Sequence, residues 1–387
     1  YGQHAAGTII SGDAVMDSLP LMYGEGKDNM ETSCNMGQAE AKGYLKMDFL
    51  GLKNLDIITR ILRQTKDAVI LDGTRQPELL GDLRIYREIY AKGLTHGVFQ
   101  FESPGMKTLL QRFQPECFED ICLLNASYRP GPMQYLDEII AEKWYRKAKA
   151  DPAAIVDNNG NILLNGQVYE KPVHSINIDN DDLKEILTPT YGCIIYQEQI
   201  MQIANVMAGF SYGEADILRR AMSKKKLDLL KGEEIRFIEG SVTRGHKEED
   251  AKRVFDLILN FANYGFNKSH SVSYAIVAYK MAYLKAKYPK FFFSNLLSSV
   301  IGSEVKTIEY INEARKLGIN VILPDINRST NKYEVVDNGI LFPLSNIKNV
   351  GIVTCKDIIN SRGDGFSDIY DCFSKILSRN VNKSTLE

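Results

Sequence analysis

The stretch YLKMDFL (44–50) alternates apolar and polar positions, which predicts a strand with Leu45, Met47 and Phe49 on one face and Lys46, Asp48 and Leu50 on the other. Gly51 ends it, and from 54 to 66 the apolar positions Leu55, Ile58, Ile61 and Leu62 change to helical spacing. A short strand precedes both in AAGTIIS (5–11). From there to about residue 322 the pattern is mostly helical, with helices expected over 104–113, 117–126, 134–149, 181–187, 194–208, 212–230, 247–263, 270–287, 290–300 and 306–316. One segment interrupts them. Asn-Gly turn signals flank short apolar runs in 157–170 and predict a β-hairpin. Strand-like patterning returns over 322–344, followed at 345–361 by helix, tight Gly turn, helix, which places a boundary near 322.

A chain of 387 residues exceeds one typical core, so two or three domains are expected. No apolar run reaches the roughly 20 residues needed to span a bilayer, and no signal peptide is present, so no membrane partner is expected. The six cysteines form no CxxC pair and read as reduced thiols of a cytoplasmic protein, neither zinc ligands nor a disulfide framework. A net charge of −2 argues weakly against a nucleic-acid partner, but 219–231 holds six basic residues and one acid. The chain starts at Tyr1 inside structured-looking sequence, which leads us to expect a piece of something larger.

Five constellations carry candidate chemistry. Lys46 and Asp48 share a strand face, where a carboxylate can hold a divalent cation while the ammonium meets a phosphate; the alternative is a local ion pair on a solvated face. In 97–113, Ser103-Pro104 reads as a helix start from which Lys107 and Arg112 project, or as an ordinary capped surface helix. In 127–138, prolines around Gly131 stiffen a turn that can aim Arg129 at a phosphate, or leave it capping a helix C-terminus. In 209–226, Ser211 and Glu214 fit a capping box, Ala215, Leu218, Ala221 and Met222 form a buried stripe, and Arg219, Arg220, Lys224, Lys225 and Lys226 crowd together. Those cations repel unless anions neutralise them, although charge runs are usually solvated faces. In 263–289, a Gly-containing loop leads to Lys268, Ser269 and His270 at a long helix start. Free N–H groups there would suit a triphosphate, the alternative being an N-cap serine beside a solvated lysine. One carboxylate site with several phosphate-type sites points to nucleotidyl transfer or a nucleic-acid clamp.

The stretches QHAAGTIIS (3–11), YLKMDFLGLKNL (44–55), GVFQFESPGMKTLL (97–110), FEDICLLNASYRPGPM (118–133), TYGCIIYQEQIMQIANVMAGFSYGEADILRRAMSKKK (190–226), NYGFNKSHSVSYA (263–275) and ILPDIN (322–327) stand in one order along almost the whole chain. In them the chain resembles the alpha subunits of bacterial DNA polymerase III, the family C polymerases, on the DnaE-type branch. The resemblance implies a mainly helical α+β fold: the remnant of a polymerase-β-like palm sheet (1–53), a large helical fingers domain (54–322), and the start of a helix-hairpin-helix DNA-binding region (323–387). It also implies a two-metal Mg2+ site, in which Asp48 matches the third palm acid and Lys46 the lysine near it. Lys107, Arg129, Arg219, Arg220 and Lys268, with Ser269 and His270 beside them, match motifs that face the incoming deoxynucleoside triphosphate or the nascent base pair. Lys224, Lys225, Lys226, Lys348, Asn349 and Gly351 are expected on the DNA backbone, with Asn349-Val350-Gly351 as the hairpin turn. Implied partners are primer-template DNA, deoxynucleoside triphosphates and, through other regions, the sliding clamp, clamp loader and proofreading subunit of a cytoplasmic, nucleoid-associated replisome.

Departures are the missing upstream D-x-D acids, Ser223 where the family usually has Gly, and the 150–180 segment. With one of three metal ligands, the chain is expected not to polymerise alone. The alternatives are a non-catalytic DNA-binding module and an error-prone paralogue.

Overall fold

Short apolar runs in the first part of the chain pair as two small antiparallel sheets. β1 (Gly7–Ile10) joins β4 (Leu45–Asp48), and β2 (Leu21–Tyr23) joins β3 (Met30–Thr32). Between them α1 (Met36–Ala41) starts on a capping box made by Asn35 and Gln38. The register sets Lys46 opposite Ile9 and Asp48 opposite Gly7. Leu45, Met47 and Phe49, the expected apolar face, are all exposed. The computed structural model describes residues 6–24, 30–49, 51–67, 77–172, 181–223, 227–262, 265–376 and 381. Its two compact units are Tyr1–Asp56 and Ile57–Glu387.

The larger unit is helical because its apolar residues recur at helical spacing between capped ends. α2 (Lys53–Thr65) buries Ile57, Ile58 and Ile61, while Leu55 in its first turn is exposed. α3 (Pro77–Leu80) and α4 (Leu83–Ile85) follow, and α4 runs into a π-helical turn, Tyr86–Tyr90, closed by Ala91 N–H to the Tyr86 carbonyl at 2.7 Å. These short pieces have too few turns to register as periodic. Next come α5 (Pro104–Phe113), α6 (Phe118–Ser127), α7 (Leu136–Lys149) and a meander of β5 (Ile155–Val156), β6 (Ile162–Leu164) and β7 (Gln167–Tyr169). The expected hairpin is therefore present with one more strand. Its Asn165-Gly166 turn has φ of +50° and +78°, the left-handed pair of a two-residue hairpin.

Helices α8 (Asp181–Leu187), α9 (Gln197–Ala208), α10 (Tyr212–Ser223), α11 (Leu227–Thr243) and α12 (Glu248–Ala262) follow. α9, α10 and α12 close a core that includes Ile203, Met207, Leu218, Phe255 and Ile258. Gly240 on α11 lets that helix approach the end of α9, since a Cβ there would fall 2.2 Å from the Ala208 carbonyl oxygen. Gly240→Ala is expected to destabilise the chain by about 2 kcal/mol, the scale of overpacking, read by urea denaturation.

α13 (Lys268–Lys287) is the central helix, with Ala275, Ala278, Tyr279, Met281 and Ala282 all buried. It packs on α6 and on α14 (Pro289–Ser298), which in turn meets α15 (Glu304–Lys316). β8 (Val321–Ile322), β9 (Glu334–Val336) and β10 (Gly339–Leu341) form a sheet in the order β8-β10-β9, so it straddles residue 322, where a boundary was expected. α16 (Ile352–Arg362) and α17 (Ile369–Ile376) share a small core of their own with Leu344 and Val350. The first helix expected in 345–361 is only a 3-10 turn, Leu344–Asn346, held between Pro343 and the left-handed Asn349 at φ +68°. All six cysteines are unpaired. Among the described residues no helix is long and apolar enough to cross a membrane.

Candidate functional site

The first turn of α9 is where the separate basic motifs meet. The extended Tyr196 bridges Phe266 in parallel: Phe266 N–H donates to the Ile195 carbonyl (3.0 Å) and Gln197 N–H to the Phe266 carbonyl (3.0 Å). Three consecutive polar side chains then brace three directions. The Gln199 amide, 4% exposed, accepts from the N–H groups of Ile195 and Tyr196, both at 2.9 Å, and donates to the Ile186 carbonyl (3.1 Å) and Thr190 Oγ1 (2.7 Å). Gln197 accepts from Arg219 Nη1 (3.1 Å) and donates to the Gly265 carbonyl (3.1 Å). The Glu198 carboxylate accepts from Lys268 N–H (3.0 Å) and Asn267 Nδ2 (3.1 Å).

Those contacts correct the expectation of free N–H groups at the start of α13. Asn267, not Ser269, is the N-cap; its side chain accepts from His270 N–H at 2.8 Å, and Glu198 occupies Lys268 N–H. A helix N-terminus favours a nearby carboxylate, and this protein supplies its own. The side chains of Lys268, Ser269 and His270 remain exposed. Lys268 Nζ lies 5.7 Å from the Tyr196 ring centroid, and the His270 ring lies tilted against Tyr274 with centroids 4.1 Å apart.

Arg129 reaches the same loop from α6. Its Nε donates to the Ala126 carbonyl (3.0 Å), the capping role weighed for it, while its guanidinium carbon sits 4.0 Å from the Phe266 ring centroid. Burial lowers its pKa, yet an arginine keeps its charge in a protein. On α10 the capping box forms as expected, with Ser211 N–H to Glu214 at 2.9 Å and Glu214 N–H to Ser211 at 3.3 Å. The anion that relieves the arginine pair is Asp216: Oδ1 takes Arg219 (2.7 Å) and Oδ2 takes Arg220 (2.7 Å). Hydrogen bonding to Arg219, then the charges of both arginines, hold the Asp216 carboxyl below its usual range. Lys224, Lys225 and Lys226 lie outside the described residues.

Lys107 does not project from α5 as expected. Its side chain is 18% exposed and turns inward to Glu313 (3.6 Å), because α15 places that buried carboxylate under the helix; burial lowers the lysine's pKa. Arg112 does project, and pairs with Asp137 at 2.6 Å. Gly105, the second residue of α5, accepts the close approach of Tyr128, whose hydroxyl would lie 2.0 Å from any Cβ there.

On β4, Lys46 Nζ lies 3.1 Å from Asp48 Oδ1, and the Asp48 side chain is 47% exposed, so the carboxylate is open to solvent beside its lysine. Among the described residues no group of three or more His, Cys, Asp or Glu could hold a metal ion. In the last part of the chain Gly351 caps α16 in extended conformation, Asn349 is left-handed, Lys348 is exposed, and Val350 anchors the turn in the small core.

Gln197, Glu198, Asp216 and Glu313 escaped sequence reasoning. The available signal was QEQ, three polar residues opening a mostly apolar helix. For Glu313 no local signal exists, since its partners come from other helices.

Three family models match the chain: the bacterial DNA polymerase III alpha NTPase domain over 1–51, the bacterial DNA polymerase III alpha subunit finger domain over 54–245, and a helix-hairpin-helix motif over 318–387. The chain is 41% identical over 386 residues to the DNA polymerase III subunit alpha of Staphylococcus aureus strain COL, covering 99% of this chain and 33% of that protein. The DNA polymerase III subunit alpha of Staphylococcus epidermidis matches with the same identity and coverage. The chain thus spans about a third of the length of the curated relatives it matches.

Proposed function

Because the chain belongs to the bacterial DNA polymerase III alpha-subunit family, we propose that it carries the triphosphate grip of a template-directed DNA polymerase, with part of the DNA-binding surface. One observation supports this reading above the others: Arg219, through its guanidinium, and Lys268, through its backbone N–H, are held from separate helices by the adjacent side chains of Gln197 and Glu198. Arg129 joins the same loop through Phe266. In this reading the arginines bind phosphate oxygens bidentately and Lys268 acts as a point charge. Arg220, Ser269 and His270 would add further contacts to the ligand, and Lys107 would do so only by exchanging Glu313 for phosphate.

Magnesium supplies charge neutralisation in such a transfer, with Asp48 as one ligand and Lys46 beside it. One carboxylate is too few to hold the ion. Contacts to primer-template DNA would use Lys224, Lys225, Lys226, Lys348, Asn349 and Gly351 on the phosphate backbone, which position the duplex without reading sequence. Clamp, clamp-loader and proofreading partners would engage other regions of the longer protein.

Isothermal titration of the chain with dATP tests the reading. Lys268→Ala or Arg220→Ala is expected to weaken binding about tenfold or more, the scale of one charge-assisted hydrogen bond. Unchanged affinity in both variants, or DNA binding with no response to dATP, would favour a DNA-binding module without a nucleotide site. Primer extension by the isolated chain is expected to be absent.

A further inference from the structure

We propose that Gln197 is a positioning residue: its amide sets the Arg219 guanidinium against the loop that carries Lys268, so that both cations meet one triphosphate in register. This rests on the nucleotide-grip reading above and adds a residue to it.

Asp216 takes Nε and Nη2 of Arg219 at one oxygen, 2.9 and 2.7 Å, which holds one edge of the guanidinium from its own helix. Gln197 takes Nη1 from a different helix. The same amide donates to the Gly265 carbonyl, so only one of its two flip states satisfies both partners; the reverse sets N–H against N–H and oxygen against oxygen. The amide is therefore a polarised strut between α10 and the 265–267 loop. Gly265 makes room for it, since a Cβ there would lie 3.1 Å from Gln197 Cγ. Successive residues on a helix point about 100° apart. Gln197 accordingly reaches α10 while Glu198 reaches α13, and the first turn of α9 couples the two basic elements. The Arg219 side chain keeps 27% exposure, enough to offer a face to a ligand while its orientation is held.

The test is a double-mutant cycle read by dATP titration on the full chain. Gln197→Met keeps the length and packing of the side chain but removes both polar contacts. Its dissociation constant for dATP is expected to rise about tenfold, less than for Arg219→Met, and to rise no further when combined with Arg219→Met. An equal fold-loss in the wild-type and Arg219→Met backgrounds would mean that Gln197 only packs, and overturns the proposal. Gly265→Ala displaces the amide without altering it and is expected to weaken dATP binding in the same direction, again only while Arg219 is present. It carries the test if thermal melting shows Gln197→Met to be unfolded, and no loss in Gly265→Ala then overturns the idea. Lys268→Met separates the two readings. If it weakens dATP binding but Gln197→Met does not, only the positioning role falls. If neither Lys268→Met nor Arg219→Met matters, or the chain gives no dATP response, the nucleotide grip falls and this inference with it.

Discussion

Glu313→Ala is expected to destabilise the larger unit by about 3–5 kcal/mol in urea denaturation at pH 7, the scale of breaking a buried ion pair from one side. The carboxylate is 5% exposed and serves several donors at once: it pairs with Lys285, lies 3.6 Å from Lys107 Nζ, and accepts from His96 N–H at 3.1 Å. Lys285 is completely buried, and its remaining polar contact is to the His96 carbonyl at 2.7 Å, with the rings of Phe292 and Phe293 around it. Removing the carboxylate strands that ammonium in an apolar setting. His96 cannot take the place of the carboxylate, since an imidazole never carries negative charge; burial lowers its pKa. Glu313→Gln keeps an acceptor but not the charge, and is expected to lose less. Because the group is shielded from solvent, the deficit should persist in 1 M salt, where surface pairs are screened. A loss below about 1 kcal/mol for Glu313→Ala would sink this account.

The same cluster predicts a pH dependence. Burial pulls Lys285 down to about 8 from its ordinary 10.5, against the opposing pull of Glu313. Between those two values the unfolded chain binds more protons than the folded one, so this group's contribution to stability rises with pH across the window and is lowest below pH 8. Without Glu313 the lysine loses the charge that raises its pKa, so the window opens at lower pH. The deficit of Glu313→Ala should therefore narrow as pH rises toward about 8 and stay level above it, where Lys285 is neutral in both folded proteins.

What could be read ahead of the structure divides along physical lines. Local rules held where their causes were local. The capping box at Ser211 and Glu214, Ser103 with Pro104 opening α5, and the Asn165-Gly166 turn all formed, because each depends on residues within one turn of chain. The basic motifs that meet the 265–268 loop were visible as charge, but their partners were not. Asp216 sits in the same helix as the two arginines and could have been paired with them by i, i+3 and i, i+4 spacing. Glu198 and Glu313 act across long sequence separations, on Lys268 and on Lys107, and only the packing of α9 and α15 brings them there. That is why the start of α13 read as open to an anion when a carboxylate already occupies it. It is also why Lys107 read as projecting when it turns inward. The π-helical turn at Tyr86–Tyr90 was missed for a different reason: its apolar residues fill a core, but the run is too short to carry a period.

A second buried pair, Lys143 with Asp120, is expected to show the opposite ends of the same rule in one thermodynamic cycle. The two are 4% and 3% exposed and 2.8 Å apart. Asp120 also accepts from Glu116 N–H (2.8 Å) and from the Tyr191 hydroxyl (2.8 Å), while Lys143 donates to the Gln114 carbonyl (2.9 Å) and lies 4.0 Å from the Phe113 ring centroid. Asp120→Ala leaves a buried ammonium with one carbonyl and two newly unpaired donors, and should lose about 3–5 kcal/mol by urea denaturation. Lys143→Met leaves a carboxylate that still holds two hydrogen bonds and should lose less. Combining Asp120→Ala with Lys143→Met removes both charges together, so the double variant should be more stable than Asp120→Ala alone. If the two losses simply add, the pair is not coupled and the desolvation argument fails. The pair braces the first turn of α6, whose far end carries Arg129 onto the Phe266 ring. Arg129 is held there by its own bond to Ala126, so the double variant should bind dATP within about twofold of wild type, which separates the stability of α6 from the aim of its arginine.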